Sequence, residues 1–123
     1  MQGLSVVLLQ SDSTIAQSLV NSLCSSFHSV HAVRSLAELR ASIAKHRAKV
    51  VVLDIETASI AEVERLSRDF PGISIVCTHR LADEEMWTAA LSAGAADICP
   101  SSDTGAILTA ALRNVAVSRG FAA

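Results

Sequence analysis

The sequence is poor in aromatic residues, with three Phe, one Trp and no Tyr among 123 residues. A site that holds a flavin ring between aromatic side chains is therefore disfavoured. The net charge of −2 gives no electrostatic reason to expect direct binding to nucleic acid or to an anionic membrane. No apolar stretch approaches the ~20 residues that a membrane-spanning helix needs. The Met-Gln-Gly start also lacks the basic and apolar regions of a signal peptide.

Cysteine is also scarce, and Cys24, Cys77 and Cys99 do not have the spacing of a metal site. We interpret them as buried thiols in a reducing compartment. A chain of this length has the common size of a single domain. We therefore expect one cytoplasmic domain over residues 1–118, followed by a loose tail at residues 119–123.

Short apolar runs alternate along the chain with segments of helical periodicity. The predicted strands are residues 6–9, 31–33, 50–54, 73–77 and 95–98, and the predicted helices are residues 15–27, 36–43, 60–70, 83–94 and 103–118. Five alternating pairs of this kind predict an α/β domain whose parallel sheet is covered by helices on both faces.

Asp54 directly follows the apolar run Val50–Leu53 and precedes polar sequence. In open α/β sheets, ligand sites lie at the carboxyl ends of the strands. A carboxylate at the end of a buried strand is therefore the first candidate for a functional residue in this chain.

Three segments of the chain resemble the receiver domains of bacterial response regulators: Val50–Asp54, Ile75–Thr78 and Ala90–Asp97. The last contains a Gly-Ala pair followed by an acidic residue, which is a recurring pattern of that family. The resemblance covers nearly the whole chain and implies a doubly wound, flavodoxin-like sheet with strand order 2-1-3-4-5. It also implies a two-component signalling protein, not an enzyme, in which Asp54 matches the aspartate that accepts a phosphoryl group from a histidine kinase.

Other positions of the family's phosphate pocket are kept only in part. Thr78 matches the hydroxyl residue that contacts the phosphoryl group. Ser101 stands where the family has a lysine, so the positive charge of that position is missing. Arg80 is the one nearby cation that could replace it.

The family's acidic pair, which holds Mg²⁺ after the first strand, aligns with the neutral residues Gln10 and Ser11. Asp12 lies one position further on, where we expect an N-cap aspartate at the start of the first helix. Only Asp54 and Asp12 then remain as carboxylate ligands, so we expect Mg²⁺ binding to be weak.

These differences lead to three hypotheses about function. The first is a pseudo-receiver that acts by protein–protein contact, because the acidic pair and the lysine are missing. The alternative is a working receiver that a histidine kinase phosphorylates on Asp54. A remote alternative is a flavodoxin-like small-molecule binder that uses the hydroxyl-rich loop 11–14 at a helix N-terminus.

The resemblance implies a protein partner, either a histidine kinase or an output domain. It also suggests a homodimer through the face made by the fourth helix, fifth strand and fifth helix. Met86 and Trp87 lie on or beside that fourth helix. Because a helix that packs on a sheet buries only one stripe, we expect one of them to be exposed and to be a candidate interface anchor.

Overall fold

The computed structural model describes residues 4–122, with the side chains of residues 4–113. Within that range, five strands alternate with five helices. The strands are β1 Ser5–Leu9, β2 Ser29–Val33, β3 Val50–Asp54, β4 Ser74–His79 and β5 Asp97–Pro100. The helices are α1 Ser13–Leu23, α2 Leu36–His46, α3 Ile60–Asp69, α4 Glu84–Ala93 and α5 Thr104–Ala122.

The five strands form one parallel sheet in the order β2-β1-β3-β4-β5, which confirms the predicted fold. Alternate residues of each strand face opposite sides, so the sheet has two apolar layers. On one side β3 directs Val51 and Leu53 towards α2, α3 and α4. On the other side Val50 and Val52 pack against α1 and α5. Every residue of β3 is buried, so its carboxyl end is held firmly in the middle of the sheet.

No helix of the described residues is long and apolar enough to cross a membrane.

Two strands, β4 and β5, end later in the structure than the sequence predicted, because pairing with neighbouring strands extends them. β4 continues through Thr78 to His79, and β5 covers residues 97–100 where 95–98 were predicted. The register pairs Thr78 with Cys99 and His79 with Pro100. Hydrogen bonding to neighbouring strands therefore extends β4 into sequence that is polar. Pro100 is compatible with this register because β5 is an edge strand.

The last helix is longer than predicted. It continues through Ala122, so residues 119–122 are helical where a loose tail was expected, and Ala123 lies outside the described residues. A single glycine costs a helix only about 1 kcal/mol, and no proline follows Gly120 to end the helix.

Gly94 ends α4 in a conformation and a space that suit only glycine. Its φ of 112° is in the left-handed region, and its N–H donates to the carbonyls of Ala90 and Leu91. A β-carbon at this position would lie 2.6 Å from Ser67 Oγ and 2.9 Å from Ser67 Cβ. Gly94 thus allows α3 and α4 to approach each other closely.

We predict that Gly94→Ala lowers the free energy of unfolding by about 3 kcal/mol, because backbone strain adds to the clash with Ser67. Gly72→Ala is the matched control, since Gly72 has a φ of 90° but open space around it. The control should cost only about 1 kcal/mol. Urea unfolding of both variants measures the difference, and equal losses would contradict the steric part of the explanation.

Two histidines stack where the end of α2 meets the edge strand β2. The ring centroids of His31 and His46 are 3.7 Å apart and the ring planes are nearly parallel, at 8°. Burial lowers the pKa of His31, and the charges of His46 and Lys45 lower it further. Protonation of His31 is therefore less favourable in the folded chain than in the unfolded chain.

We predict that stability falls as the pH drops below about 6.5, the ordinary histidine pKa, because the unfolded chain then binds protons more readily than the folded one. His31→Phe keeps a flat ring against His46 and cannot ionise, so it should reduce this loss between pH 7 and pH 5. His28→Gln, which replaces an exposed histidine, is the comparison variant. The measurement is urea unfolding at each pH, and an unchanged loss in His31→Phe would refute the assignment.

Candidate functional site

The carboxyl ends of β1, β3 and β4 bring the predicted site residues together. Asp54 is the last residue of β3, and Thr78 lies opposite it in β4. Gln10 and Ser11 directly follow β1, the other neighbour of β3. Asp54 is 3% exposed and Thr78 is fully buried, so the polar atoms of both need partners within the protein.

The carboxylate of Asp54 accepts four hydrogen bonds from its own chain. Its Oδ2 accepts from the Ser11 hydroxyl at 2.8 Å, the Ser11 N–H at 3.2 Å and the Thr57 hydroxyl at 3.0 Å. Its Oδ1 accepts from the Glu56 N–H at 2.9 Å. Both oxygens are therefore engaged, and the carboxylate joins the loop after β1 to the turn after β3.

These contacts determine the charge state of Asp54. Burial alone raises the pKa of Asp54, but the hydrogen bonds from Glu56, Ser11 and Thr57 outweigh it and hold the pKa below its ordinary value. The side chain is thus ionised at neutral pH, and the hydrogen-bond donors stabilise its negative charge. A carboxylate stabilised in this way is a weaker nucleophile, since the hydrogen bonds that lower its pKa also stabilise its negative charge.

Gln10 and Thr78 form the second contact of the site. The Gln10 amide nitrogen donates to the Thr78 hydroxyl oxygen at 2.7 Å, and both side chains are buried. Gln10 aligns with an acidic residue of the receiver family, and Thr78 aligns with the family's phosphate-contacting hydroxyl residue. These two residues thus bind each other.

The residues that could hold Mg²⁺ do not fit such an ion. Gln10 and Ser11 direct hydrogens, not lone pairs, at Thr78 and Asp54. Asp12 caps α1, as expected, and its Oδ1 accepts from the N–H groups of Thr14 and Ile15. Among the residues that the structure describes, no cluster of three or more His, Cys, Asp or Glu side chains could hold a metal ion. A hard cation prefers several oxygen ligands, and here both Asp54 and Asp12 accept hydrogen bonds from the chain itself.

Arg80 does not take the place of the missing lysine. Its backbone N–H donates to Glu56 Oε1 at 2.7 Å, and its Nε lies 2.9 Å from Glu56 Oε2. The Arg80 side chain is 80% exposed. This ion pair connects the loops after β3 and β4 across the rim of the site, and it lowers the pKa of Glu56 through the Arg80 N–H and then the guanidinium.

Ser101 brings a neutral group to the lysine position. It lies just after β5, is 4% exposed, and its N–H donates to the His79 carbonyl at 3.2 Å. No cation therefore comes from this loop to Asp54.

The sequence did not predict the roles of Glu56 and Thr57. An aspartate whose side chain accepts from the N–H two residues later is an Asx-type turn, which the segment Asp54-Ile55-Glu56-Thr57 forms. The turn-forming residues after β3 were a usable signal. The ion pair of Glu56 with Arg80 joins residues 24 positions apart, and it has no local signal.

The structure separates the two candidate interface residues. Met86 is partly buried and packs against the core, whereas Trp87 is 48% exposed. Leu81, in the loop before α4, is 74% exposed, and Leu112 on α5 is 40% exposed. Trp87 is therefore the candidate anchor of the two.

A cavity of about 550 Å³ lies between α1 and the end of β2 and adjoins Ser11 and Thr57. It has no aromatic side chain in its lining, which consists of Leu9, Gln10, Ser11, Ser13, Ala16, Gln17, Val20, Ala32, Val33, Arg34 and Thr57. Asp12 already occupies the N-terminus of α1 with its own negative charge. These features do not favour the flavin or phosphate site of the third hypothesis.

No protein-family model and no curated protein match this sequence. Solved structures do match. The N-terminal signal receiver domain of a two-component response regulator from Bacteroides fragilis has a TM-score of 0.83 at 17% identity, over 92% of this chain and 97% of that chain. An orphan response regulator of H. pylori gives 0.80 at 14% identity, over 91% and 96%.

A third match is an atypical orphan response regulator whose structure is described as revealing a phosphorylation-independent regulatory mechanism. Its TM-score is 0.80 at 16% identity, over 91% of this chain and 95% of that chain. Together with the strand order, these matches show that the chain has the fold of response regulator receiver domains.

We predict that Asp54→Ala lowers the free energy of unfolding by about 2 kcal/mol, because the donors around the carboxylate lose their acceptor. Asp54→Asn should lose less, since one oxygen remains. Glu64→Ala is the control: Glu64 is an exposed acid without an ion pair in the described structure. Urea unfolding at pH 7 measures all three, and equal stability of Asp54→Ala and Glu64→Ala would show that the carboxylate has no structural role.

The Asp54 carboxylate also predicts how the stability of the fold depends on pH in the acid range. Its pKa is lower in the folded chain, so its stabilisation is complete above the unfolded pKa of about 3.9 and is lost as the pH falls below that value. Asp54→Asn should therefore lose less stability than the wild type between pH 5 and pH 3. An identical loss in both proteins would contradict this.

Proposed function

We propose that this domain is a receiver-type signalling module that acts through protein–protein contact without phosphorylation of Asp54. The single observation that carries the proposal is the Asp54 carboxylate, whose two oxygens accept four hydrogen bonds from Ser11, Glu56 and Thr57. In an in-line attack on a phosphoryl group the carboxylate supplies the negative charge of the nucleophile, and here that charge is already stabilised by these donors.

Electrostatics support the same proposal. A phosphoryl group on Asp54 would add negative charge to a pocket that already holds the carboxylate. The described groups that point into the pocket are neutral donors from Ser11, Thr57 and Gln10. Arg80, the cation of the loop after β4, is bound to Glu56 at the rim.

The comparisons also support a phosphorylation-independent module. One matching structure is described as an orphan regulator, and another as atypical with a phosphorylation-independent regulatory mechanism. In the same proposal the domain is not an enzyme, works in the cytoplasm, and binds a histidine kinase or an output domain.

The proposal predicts that beryllofluoride with millimolar Mg²⁺ leaves the amide NMR signals of Asp54, Thr78 and Ser101 unchanged. Acetyl phosphate should likewise give no mass increase of one phosphoryl group. Asp54→Asn is the control that cannot form either adduct. A response in the wild type that is absent from Asp54→Asn would establish the alternative, a working phosphoacceptor.

A restoring variant tests the reason for the inactivity. Gln10→Asp and Ser11→Asp together remove the side-chain donors of these two residues from Thr78 and Asp54 and supply two carboxylates. Mg²⁺ should then bind at least tenfold more tightly than in the wild type, because ligand charge governs affinity for a hard cation. Calorimetric titration measures this, and folding of the variant is checked by circular dichroism. Unchanged Mg²⁺ affinity in a folded variant would show that these two positions are not the cause.

A further inference from the structure

The start of α4 presents apolar and acidic side chains on the same exposed surface, which we call the acidic α4 surface. It consists of Leu81, Asp83, Glu84 and Trp87, all of them exposed. Asp83 and Glu84 precede Trp87 by four and three residues, and residues at these spacings are neighbours on a helix. The indole is therefore flanked by carboxylates.

The negative charge of this surface is not neutralised within the described part of the chain. α4 contains no Lys or Arg, and none of Asp83, Glu84 and Glu85 forms an ion pair there. Arg80, the nearest cation in sequence, pairs with Glu56. Acids in a first helical turn are favourable for the helix dipole, but that role does not require an exposed Trp and Leu beside them.

We propose that the acidic α4 surface binds a basic, apolar segment of a different protein. The inference rests on the proposed function, contact with a protein partner, and adds the chemistry of that partner. Trp is among the residues that contribute most to interfaces, and its indole face also attracts cations. Lys or Arg of the partner would pair with Asp83 and Glu84, while an apolar side chain of the partner covers Trp87 and Leu81.

A second copy of this chain is a poor occupant of the same surface. In a two-fold dimer the same patch lies on both sides of the interface, so acidic α4 residues of the two copies would approach each other. Neighbouring β5 and α5 add Asp97 and Asp103, against Arg113 as the one cation of their described side chains. Like charges in an interface oppose association, so a homodimer through this face is disfavoured.

Trp87 is the only tryptophan of the sequence, so its fluorescence reports directly on this surface. The probes are two amphipathic helical peptides of equal length, one of Leu and Lys and one of Leu and Glu. The Leu-Lys peptide should shift the Trp87 emission to shorter wavelength and bind more weakly as salt increases. The Leu-Glu peptide should cause no shift. Equal responses to the two peptides would overturn the proposal.

Substitutions test whether the Leu-Lys peptide binds at the acidic α4 surface. Asp83→Asn with Glu84→Gln should weaken binding of the Leu-Lys peptide about fivefold, as expected for two exposed ion pairs, and Asn remains a good N-cap for α4. Glu64→Gln, an exposed acid on α3, should have no effect. Trp87→Ala should weaken binding at least tenfold, read by anisotropy of a labelled peptide. An equal effect of the Glu64 variant would show non-specific attraction and reject the site.

Two further measurements distinguish a failure of this inference from a failure of the proposed function. Sedimentation of the protein alone should show a monomer, and a dimer whose formation shields Trp87 would replace the unlike partner with a second copy. Peptide binding that requires beryllofluoride and Asp54 would keep the surface and reject the phosphorylation-independent function. The protein could also fail to bind the peptide both with and without beryllofluoride and show no response to beryllofluoride itself. That result would reject the acidic α4 surface as a binding site and would leave the phosphorylation-independent function standing.

Discussion

The neutralisation of one buried charge, the Asp54 carboxylate, organises the functional end of the sheet. A carboxylate that is 3% exposed would strongly destabilise the fold if it had no partners. Its four hydrogen bonds come from the loop after β1 and the turn after β3, so they fix the relative position of these segments. The contacts that satisfy the charge also shape the site. Stability and the chemistry of Asp54 are therefore not independent here.

Two other contacts extend this arrangement to β4. Gln10 joins the end of β1 to Thr78, and Glu56 joins the turn after β3 to Arg80. Arg80 directly precedes Leu81, the first residue of the acidic α4 surface. The three loops of the site are thus tied together by polar contacts that need no ligand.

Much of the fold was predictable because its signals are local. Apolar runs located the strands, Asp83 and Gly94 marked the ends of α4, and Asp12 was recognised as a cap. Boundaries that depend on pairing, such as the extension of β4 to His79, were not predictable from local polarity. The α4 sequence allowed either Met86 or Trp87 to be buried, and only the packing of the helix against the core shows that Met86 is the buried residue. The bonds from Ser11 to Asp54 likewise depend on contact between distant segments.

Gln10 and Ser11 are better understood as replacements than as losses. Two acids at these positions would place three carboxylates at the ends of β1 and β3, and such a group requires a cation to offset its charge. With Gln10 and Ser11 the same positions supply hydrogen-bond donors, and the described donors alone hold Asp54 ionised. The negative charge of Asp54 is then stabilised by hydrogen bonds from the protein itself. Removal of the Asp54 carboxylate would consequently leave the surrounding donors without an acceptor, whether or not a phosphoryl group is ever transferred.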